Sequence, residues 1–232
     1  MAQEHTTIRF ADLIASSAHD MKNALSVQVG VLERVAQQRR AAGDQESYQV
    51  LGGAIHESQR MHASLVQLLG LYKLGQAIYP LDIAECAMAE LLGDLLVQQQ
   101  FMLEVRNIAV QLDCEPDCQW YVDRDLVSGA LLNALHNACA HSRGKIRIAA
   151  RTDQGRLELR VEDDGPGFPA HLLQADAVTA RMGVDFAGGS TGLGLHFALQ
   201  VARVHKNGTR VGGISLENGG AYGGACFVLC LP

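Results

Sequence analysis

Two stretches decide the fold of this chain: Val161–Glu162–Asp163–Asp164–Gly165–Pro166–Gly167–Phe168–Pro169 and Gly189–Ser190–Thr191–Gly192–Leu193–Gly194–Leu195. The first is an acidic turn broken by Gly and Pro. It follows Leu157–Glu158–Leu159–Arg160–Val161, whose alternation predicts a strand. The second is a Gly-rich loop running into an apolar segment, residues 193–204, that predicts a helix. Glycines let backbone N–H groups approach a phosphate closely, and the start of the following helix adds a positive dipole end. An Asp at a strand end can accept a hydrogen bond from a purine amino group. Taken singly, the first is also an ordinary turn and the second an ordinary helix start.

A third stretch changes that balance. Residues 125–142 read as a helix containing Leu131–Leu132–Asn133–Ala134–Leu135–His136–Asn137–Ala138–Cys139–Ala140–His141–Ser142. Asn133 and Asn137 stand at i and i+4 and share one face, while Leu131, Leu135 and Ala138 cover another. The order of the three stretches resembles that of the N box, the D-x-G-x-G turn and the G-x-G-L-G-L loop of two-component sensor histidine kinases. These belong to the wider gyrase, Hsp90 and MutL-like ATPase group. The resemblance spans about residues 79–232, and the loop motif is kept as Gly192–Leu193–Gly194–Leu195.

Composition is compatible with this. The 232 residues suffice for one large or two small domains, and a net charge of −6 argues against non-specific nucleic-acid binding. No apolar run reaches the roughly 18 residues that cross a bilayer, and the start has no signal-peptide pattern, so a cytoplasmic protein off the membrane is expected. The six cysteines (86, 114, 118, 139, 226 and 230) show no zinc spacing and are expected to be reduced and mostly buried.

Upstream of the ATPase-like part, the chain reads as two helices. Residues 1–40 carry Met21, Ala24, Gln28, Val31 and Val35 at a 3–4 spacing, widened by Leu25 and Leu32. A polar turn around Gly43 follows. Residues 46–74 then keep a stripe through Leu51, Ile55, Ser58, His62, Leu65, Leu69 and Tyr72, with Ser58 and His62 as polar breaks. One such hairpin cannot hide its apolar surface; two can, as a four-helix bundle, so a homodimer is expected. Residues 75–80, Gly–Gln–Ala–Ile–Tyr–Pro, read as the linker, placing a hairpin domain at 1–76 and an ATP-binding domain at 77–232. In the latter, strands are expected at 79–84, 108–113, 119–123, 145–151, 157–162, 210–216 and 225–231, and helices at 87–105, 125–142 and 193–204. The fold class is α+β: a helical hairpin followed by an α/β sandwich of the Bergerat type, with helices on one face of a mixed sheet.

The first helix carries Ala18–His19–Asp20–Met21–Lys22–Asn23, which resembles the H box of the same kinases. On that resemblance His19 is the phosphoacceptor, and Asp20 holds or deprotonates its imidazole so that the other nitrogen can attack the γ-phosphate of ATP. Asn23, one turn along, orients water for dephosphorylating a response regulator. In the ATPase part, the resemblance gives Asn137 to Mg²⁺ and Asn133 to the phosphates beside it. Asp163 takes the adenine amino group, with Gly165 and Gly167 giving room. Gly192, Leu193 and Gly194 frame the phosphates, with Ser190 and Thr191 as hydroxyl contacts, and residues 168–190 form a lid. The implied function is an ATP-dependent protein-histidine kinase that phosphorylates His19 and passes the group to a receiver-domain aspartate of a response regulator. Its input is expected from a separate sensor protein.

The sequence also departs from the family. Ala140 stands where a Lys or Arg usually follows the Mg²⁺-binding Asn; Arg143, Lys145 and Arg181 are the substitutes on offer. The aromatic pair of the lid is reduced to Phe186. These departures leave a second reading open: a histidine phosphotransferase or adaptor with a degenerate kinase-like domain. A serine kinase of the anti-sigma type would need no His19, and a bare dimer module would leave three ordered motifs without a purpose.

Overall fold

Two long helices open the chain. The computed structural model describes residues 10–76, 78–173 and 192–232, with side chains from Asp20 onward. Helix α1 (Phe10–Ala41) meets α2 (Gln45–Gly75) through Ala42, Gly43 and Asp44. Gly43 turns the chain at φ +75°, and Asp44 accepts the Ser47 N–H at 3.1 Å to cap α2. Those bonds from Ser47 hold the Asp44 carboxyl below its usual range. Of the two polar breaks in the α2 stripe, Ser58 satisfies itself, whereas His62 Nε2 is buried with no hydrogen-bond partner among the described residues. Buried Ser58 donates to the Ala54 carbonyl at 2.9 Å. Burial and the nearby Lys22 charge push the pKa of His62 down.

By its contacts the chain divides into Met1–Leu69 and Gly70–Pro232. The last turn of α2 falls in the second unit because Leu71 and Leu74 pack against that unit's core. In the first unit Ala36, Tyr48 and Ile55 are buried, whereas Met21, Val27, Val31, Val50 and Leu68 stay exposed.

The second unit continues with β1 (Ile83–Ala87), α3 (Met88–Val105), β2 (Ala109–Cys114), β3 (Gln119–Asp123) and α4 (Arg124–His141). Strands β4 (Lys145–Asp153) and β5 (Arg156–Asp163) follow, then a single 3₁₀ turn at Ala170–Leu172. Helix α5 (Leu193–Val204) leads into β6 (Lys206–Asn207), β7 (Arg210–Val211), β8 (Gly213–Asn218) and β9 (Ala225–Leu231). Among the described residues the main sheet has the order β2–β4–β5–β9–β8, parallel only between β2 and β4. Strands β1 and β3 form a separate antiparallel ribbon.

Two strands differ from expectation. The first starts at Ile83, not at Tyr79, because the Tyr79 hydroxyl and the Asp82 N–H both turn to the Asp123 carboxylate and Pro80 has no N–H to pair. The run 210–216 breaks at Gly212. There the chain passes so close to the carbonyls of Ala202 and Cys230 that a Cβ would lie 2.5 and 2.8 Å from them. Arg210 and Val211 pair back on β6, and β8 begins after the break.

The sheet has one apolar and one charged face. Ile146, Ile148, Ala150, Leu157, Leu159 and Val161 bury themselves in the core with α3, α4 and α5. The alternate residues Arg147, Glu158, Arg160 and Glu162 stand on the other face. Glu162 is only 2% exposed. It is held by Arg147 and Arg160, each at 3.0 Å, and by the Ala221 N–H at 3.0 Å. Arg147 also pairs with Asp113, and Arg160 with Glu217 at 3.1 Å.

The thiols are all free, but only Cys86, Cys139 and Cys226 are fully buried. Cys114 and Cys118 are half-buried and hydrogen-bonded to each other, and burial pushes Cys114 up to about 11. Among the described residues no group of three or more His, Cys, Asp or Glu forms a metal site. No described helix is long and apolar enough to cross a membrane.

Burial by itself would raise the pKa of Glu162; the Arg160, Ala221 and Arg147 hydrogen bonds outweigh it and the net shift is downward. The folded state therefore binds this proton less readily than the unfolded chain. The resulting stability is complete above the ordinary carboxylate range and is lost as pH falls through and below it. Glu162→Ala should cost about 3 kcal/mol at neutral pH, because two arginines lose a buried partner. In urea titrations from pH 7 to pH 3 the variant should lose less stability than the wild type; equal acid sensitivity would show that Glu162 is not the group responsible.

Candidate functional site

Helix α4 is the element on which the motif residues converge, and its start is heavily fixed. Asp123 is buried and accepts the Leu126 N–H at 3.0 Å as N-cap. Its carboxylate also accepts the Asp82 N–H at 3.1 Å and the Tyr79 hydroxyl at 3.4 Å. Burial and the Asp123 charge push the Tyr79 phenol up to about 12. The Asp123 N–H donates to Nε2 of buried His205 at 3.0 Å, so the proton of that ring sits on Nδ1, 2.7 Å from the Val201 carbonyl. At the other end, Arg106 donates to the carbonyls of Cys139 and Ala140 at 3.0 and 3.3 Å.

Between these ends the helix buries Leu126, Val127, Ala130, Leu131, Ala134, Leu135 and Ala138. Asn133, Asn137 and His141 recur every four residues and form one polar stripe. Asn133 is half-buried; Asn137 and His141 are exposed.

Both Gly-rich motifs rest on this stripe. A Cβ at Gly194 would lie 2.0 Å from the Asn133 amide nitrogen, so the first turn of α5 touches α4 at Asn133. Gly192 is the N-cap of α5 at φ +61°, and no described side chain caps that end. At the other end of the stripe a Cβ at Gly165 would lie 2.6 Å from the His141 carbonyl oxygen. The two motifs thus flank Asn137, and the glycines leave backbone where side chains would otherwise fill the space.

The acidic turn is tied down from every side. Asp163 is buried; its Oδ1 accepts the N–H groups of Gly165 at 2.7 Å and Ala225 at 3.1 Å. Asp164 Oδ1 accepts the N–H groups of Arg143 at 2.7 Å and Gly144 at 3.1 Å. Burial alone would raise the Asp164 pKa; these backbone bonds outweigh it and hold the carboxyl low. Gly167 takes φ +83°, and the Asn218 amide lies flat against it. Asn218 exchanges two hydrogen bonds with the Phe168 main chain, from the Phe168 N–H at 2.7 Å and to its carbonyl at 2.9 Å.

The structure therefore brings Asn133, Asn137, Asp163, Gly165, Gly167, Gly192, Leu193 and Gly194 around one helix. Ser190 and Thr191 lie outside the described residues, as do Arg181 and Phe186. His19 lies on the backbone of α1, its side chain outside the described set; Asp20 and Asn23 are exposed on the same helix, in the first unit. Of the basic substitutes for Ala140, Lys145 stands 6.0 Å from the Tyr222 ring centroid, and Arg143 is exposed beside the turn. Sequence reading missed Asn218 and the double use of Asp164. An Asn before Gly–Gly reads as turn chemistry, and nothing local announces which distant main chain it will hold.

These donors fit a Mg²⁺-nucleotide. Asn137 offers a neutral amide oxygen, α5 offers N–H groups that no described side chain caps at its positive end, and Asp163 has a second carboxylate oxygen beside the one that accepts from Gly165 and Ala225.

Residues 122–232 match the family described as histidine kinase-, DNA gyrase B-, and HSP90-like ATPase. The two-component sensor PhoQ of Pseudomonas aeruginosa is 30% identical over 219 residues, 94% of this chain and 46% of that protein. The phosphate regulon sensor protein PhoR of the same organism is 28% identical over 200 residues, 84% of this chain and 45% of that protein. The chain thus spans about half the length of these relatives. Among solved structures, the histidine kinase AdeS of Acinetobacter baumannii superposes with a TM-score of 0.58 at 18% identity, over 88% of this chain and 94% of that one. Full-length ShkA in complex with AMPPNP superposes at 0.62 with 20% identity, over 95% of this chain and 45% of that one. At such identities these two speak for the fold alone: a helical region followed by an α/β sheet domain. Residues 122–232 belong to the histidine kinase-, DNA gyrase B- and HSP90-like ATPase family, and the chain carrying them is a relative of the sensor histidine kinases.

Proposed function

We propose that this chain is the core of an ATP-dependent protein-histidine kinase, working as a homodimer with a response regulator. The observation that carries this reading is the stripe Asn133–Asn137–His141 on α4, with Gly194 seated on Asn133 and Gly165 on the His141 carbonyl. Three motifs that mean little singly share one floor.

On this reading Asp163 accepts the adenine amino group through the oxygen left by Gly165 and Ala225. Asn137 holds Mg²⁺ through its amide oxygen, and Asn133 contacts the phosphates near it. The N–H groups opening α5, from Leu193 and Gly194, receive phosphate oxygens, with Ser190 and Thr191 adding hydroxyl contacts. The Mg²⁺ supplies charge neutralisation. Asp20 orients or deprotonates the His19 imidazole, whose other nitrogen forms the bond to the γ-phosphorus while the bond to the bridging oxygen breaks and ADP leaves. The phosphoryl group then passes to an aspartate of the regulator. Asn23, one turn from His19, orients the water that dephosphorylates that regulator.

The exposed apolar residues of the hairpin, Met21, Val27, Val31, Val50 and Leu68, support a second copy, since one hairpin leaves them in water. Input arrives from a separate sensor protein. The degenerate reading is favoured by one observation: Ala140 brings no charge to the site, and its carbonyl is occupied by Arg106.

Incubation with γ-labelled ATP and Mg²⁺, wild type beside His19→Gln, separates these readings. Acid-labile, alkali-stable label lost in the variant is the expected result. Bound ATP without label would favour the phosphotransfer or adaptor reading. Gly194→Ala should weaken ADP binding by about tenfold or more, because its methyl group occupies the place of the Asn133 amide. Asp163→Asn should abolish that binding, since the amide replaces the ligand's acceptor with a donor. Unchanged affinity in both, measured by calorimetry, would remove the site from this end of α4.

A further inference from the structure

We propose that Asn218 is a positioning residue for the nucleotide site, bracing the acidic turn from both ends; this rests on the nucleotide reading given above. The residue stands at the end of β8, far along the chain from the turn it holds, and its side chain is committed there. The amide oxygen accepts the Phe168 N–H at 2.7 Å and the amide nitrogen donates to the Phe168 carbonyl at 2.9 Å. This closed pair imitates one rung of an antiparallel ladder. It fixes both polar groups of a main-chain unit that has no strand partner of its own.

The fit is close on a second side. Gly167, at φ +83°, presents its Cα to the amide; a Cβ there would lie 2.7 to 2.9 Å from Oδ1, Cγ and Nδ2 of Asn218. The amide plane therefore occupies the space that any side chain at residue 167 would take. A shorter Ser could not span to both Phe168 atoms, and a longer Gln would have to displace the turn.

The backbone of the same residue bears on the other end of the turn. Asn218 pairs with Ala225 in the β8–β9 ladder. The Ala225 N–H donates to Asp163 Oδ1 at 3.1 Å, and the Gly224 N–H donates to the Asp163 carbonyl at 3.1 Å. Asn218 thus sits at one node. Its main chain aligns the strand that orients the Asp163 carboxylate, and its side chain sets where the chain leaves at Phe168. Holding a ligand-facing carboxylate within a fraction of an ångström is the usual task of such supporting groups.

The test uses the full chain and Mg²⁺–ADP, titrated by calorimetry beside a thermal melt. Asn218→Ala should weaken ADP about tenfold, the scale of one or two lost hydrogen bonds. Its melting temperature should stay within a few degrees of wild type. Asn218→Asp keeps the acceptor for the Phe168 N–H but loses the donor, so its affinity should fall between the two. That graded order at nearly constant stability is what a merely structural role would not produce. If Asn218→Ala fails to fold, Asn218→Asp decides by the same criterion. A folded Asn218→Ala or Asn218→Asp that binds ADP within twofold of wild type overturns the proposal. A wild-type chain without measurable ADP affinity overturns the nucleotide reading itself, and this inference with it.

Discussion

Everything in the second unit depends on how α4 divides its surface. Seven apolar residues, from Leu126 to Ala138, pack inward and fix the helix against the sheet and against α5. Burying them is worth roughly 1.5–3 kcal/mol for each large side chain, so the rotation of the helix about its axis is not negotiable. The remaining stripe, Asn133, Asn137 and His141, must then face the space between the two Gly-rich motifs. The polar stripe needs no energy of its own to be presented, because the apolar stripe presents it.

The buried polar groups serve that arrangement. Asp123 fixes the start of α4 with its carboxylate and N–H, reaching the linker through Tyr79 and Asp82 and α5 through His205. A carboxylate so enclosed is tolerable only because its described hydrogen bonds meet the cost of desolvation. Glu162 does the same on the charged face, where Arg147, Arg160 and the Ala221 N–H converge. These two carboxylates stand at the ends of β3 and next to the end of β5, the places where strands hand the chain to the site.

The hairpin obeys a different rule. Its described core is thin, with Ala36, Tyr48 and Ile55 as buried apolar residues, while β-branched and Met side chains remain in water. An isolated pair of helices with so little burial is marginal, which is the physical ground for the second copy proposed above.

Much of this was legible in the sequence because it is local. Period-two alternation gave β5, the apolar run Leu193–Val204 gave α5, and Gly43 marked the helical turn. The i, i+4 spacing of Asn133 and Asn137 places both on one helical face. The order of three motifs carried the family. Tertiary structure alone decided where distant backbone meets. Tyr79 and Asp82 abandoned the ladder for Asp123, Gly212 broke a strand because two carbonyls crowd it, and Asn218 became the brace of the Asp163 turn. The physical reason is the same in each case. Propensity and periodicity act over one turn or one strand, whereas a hydrogen bond between residues 168 and 218 exists only once the sheet has brought them together.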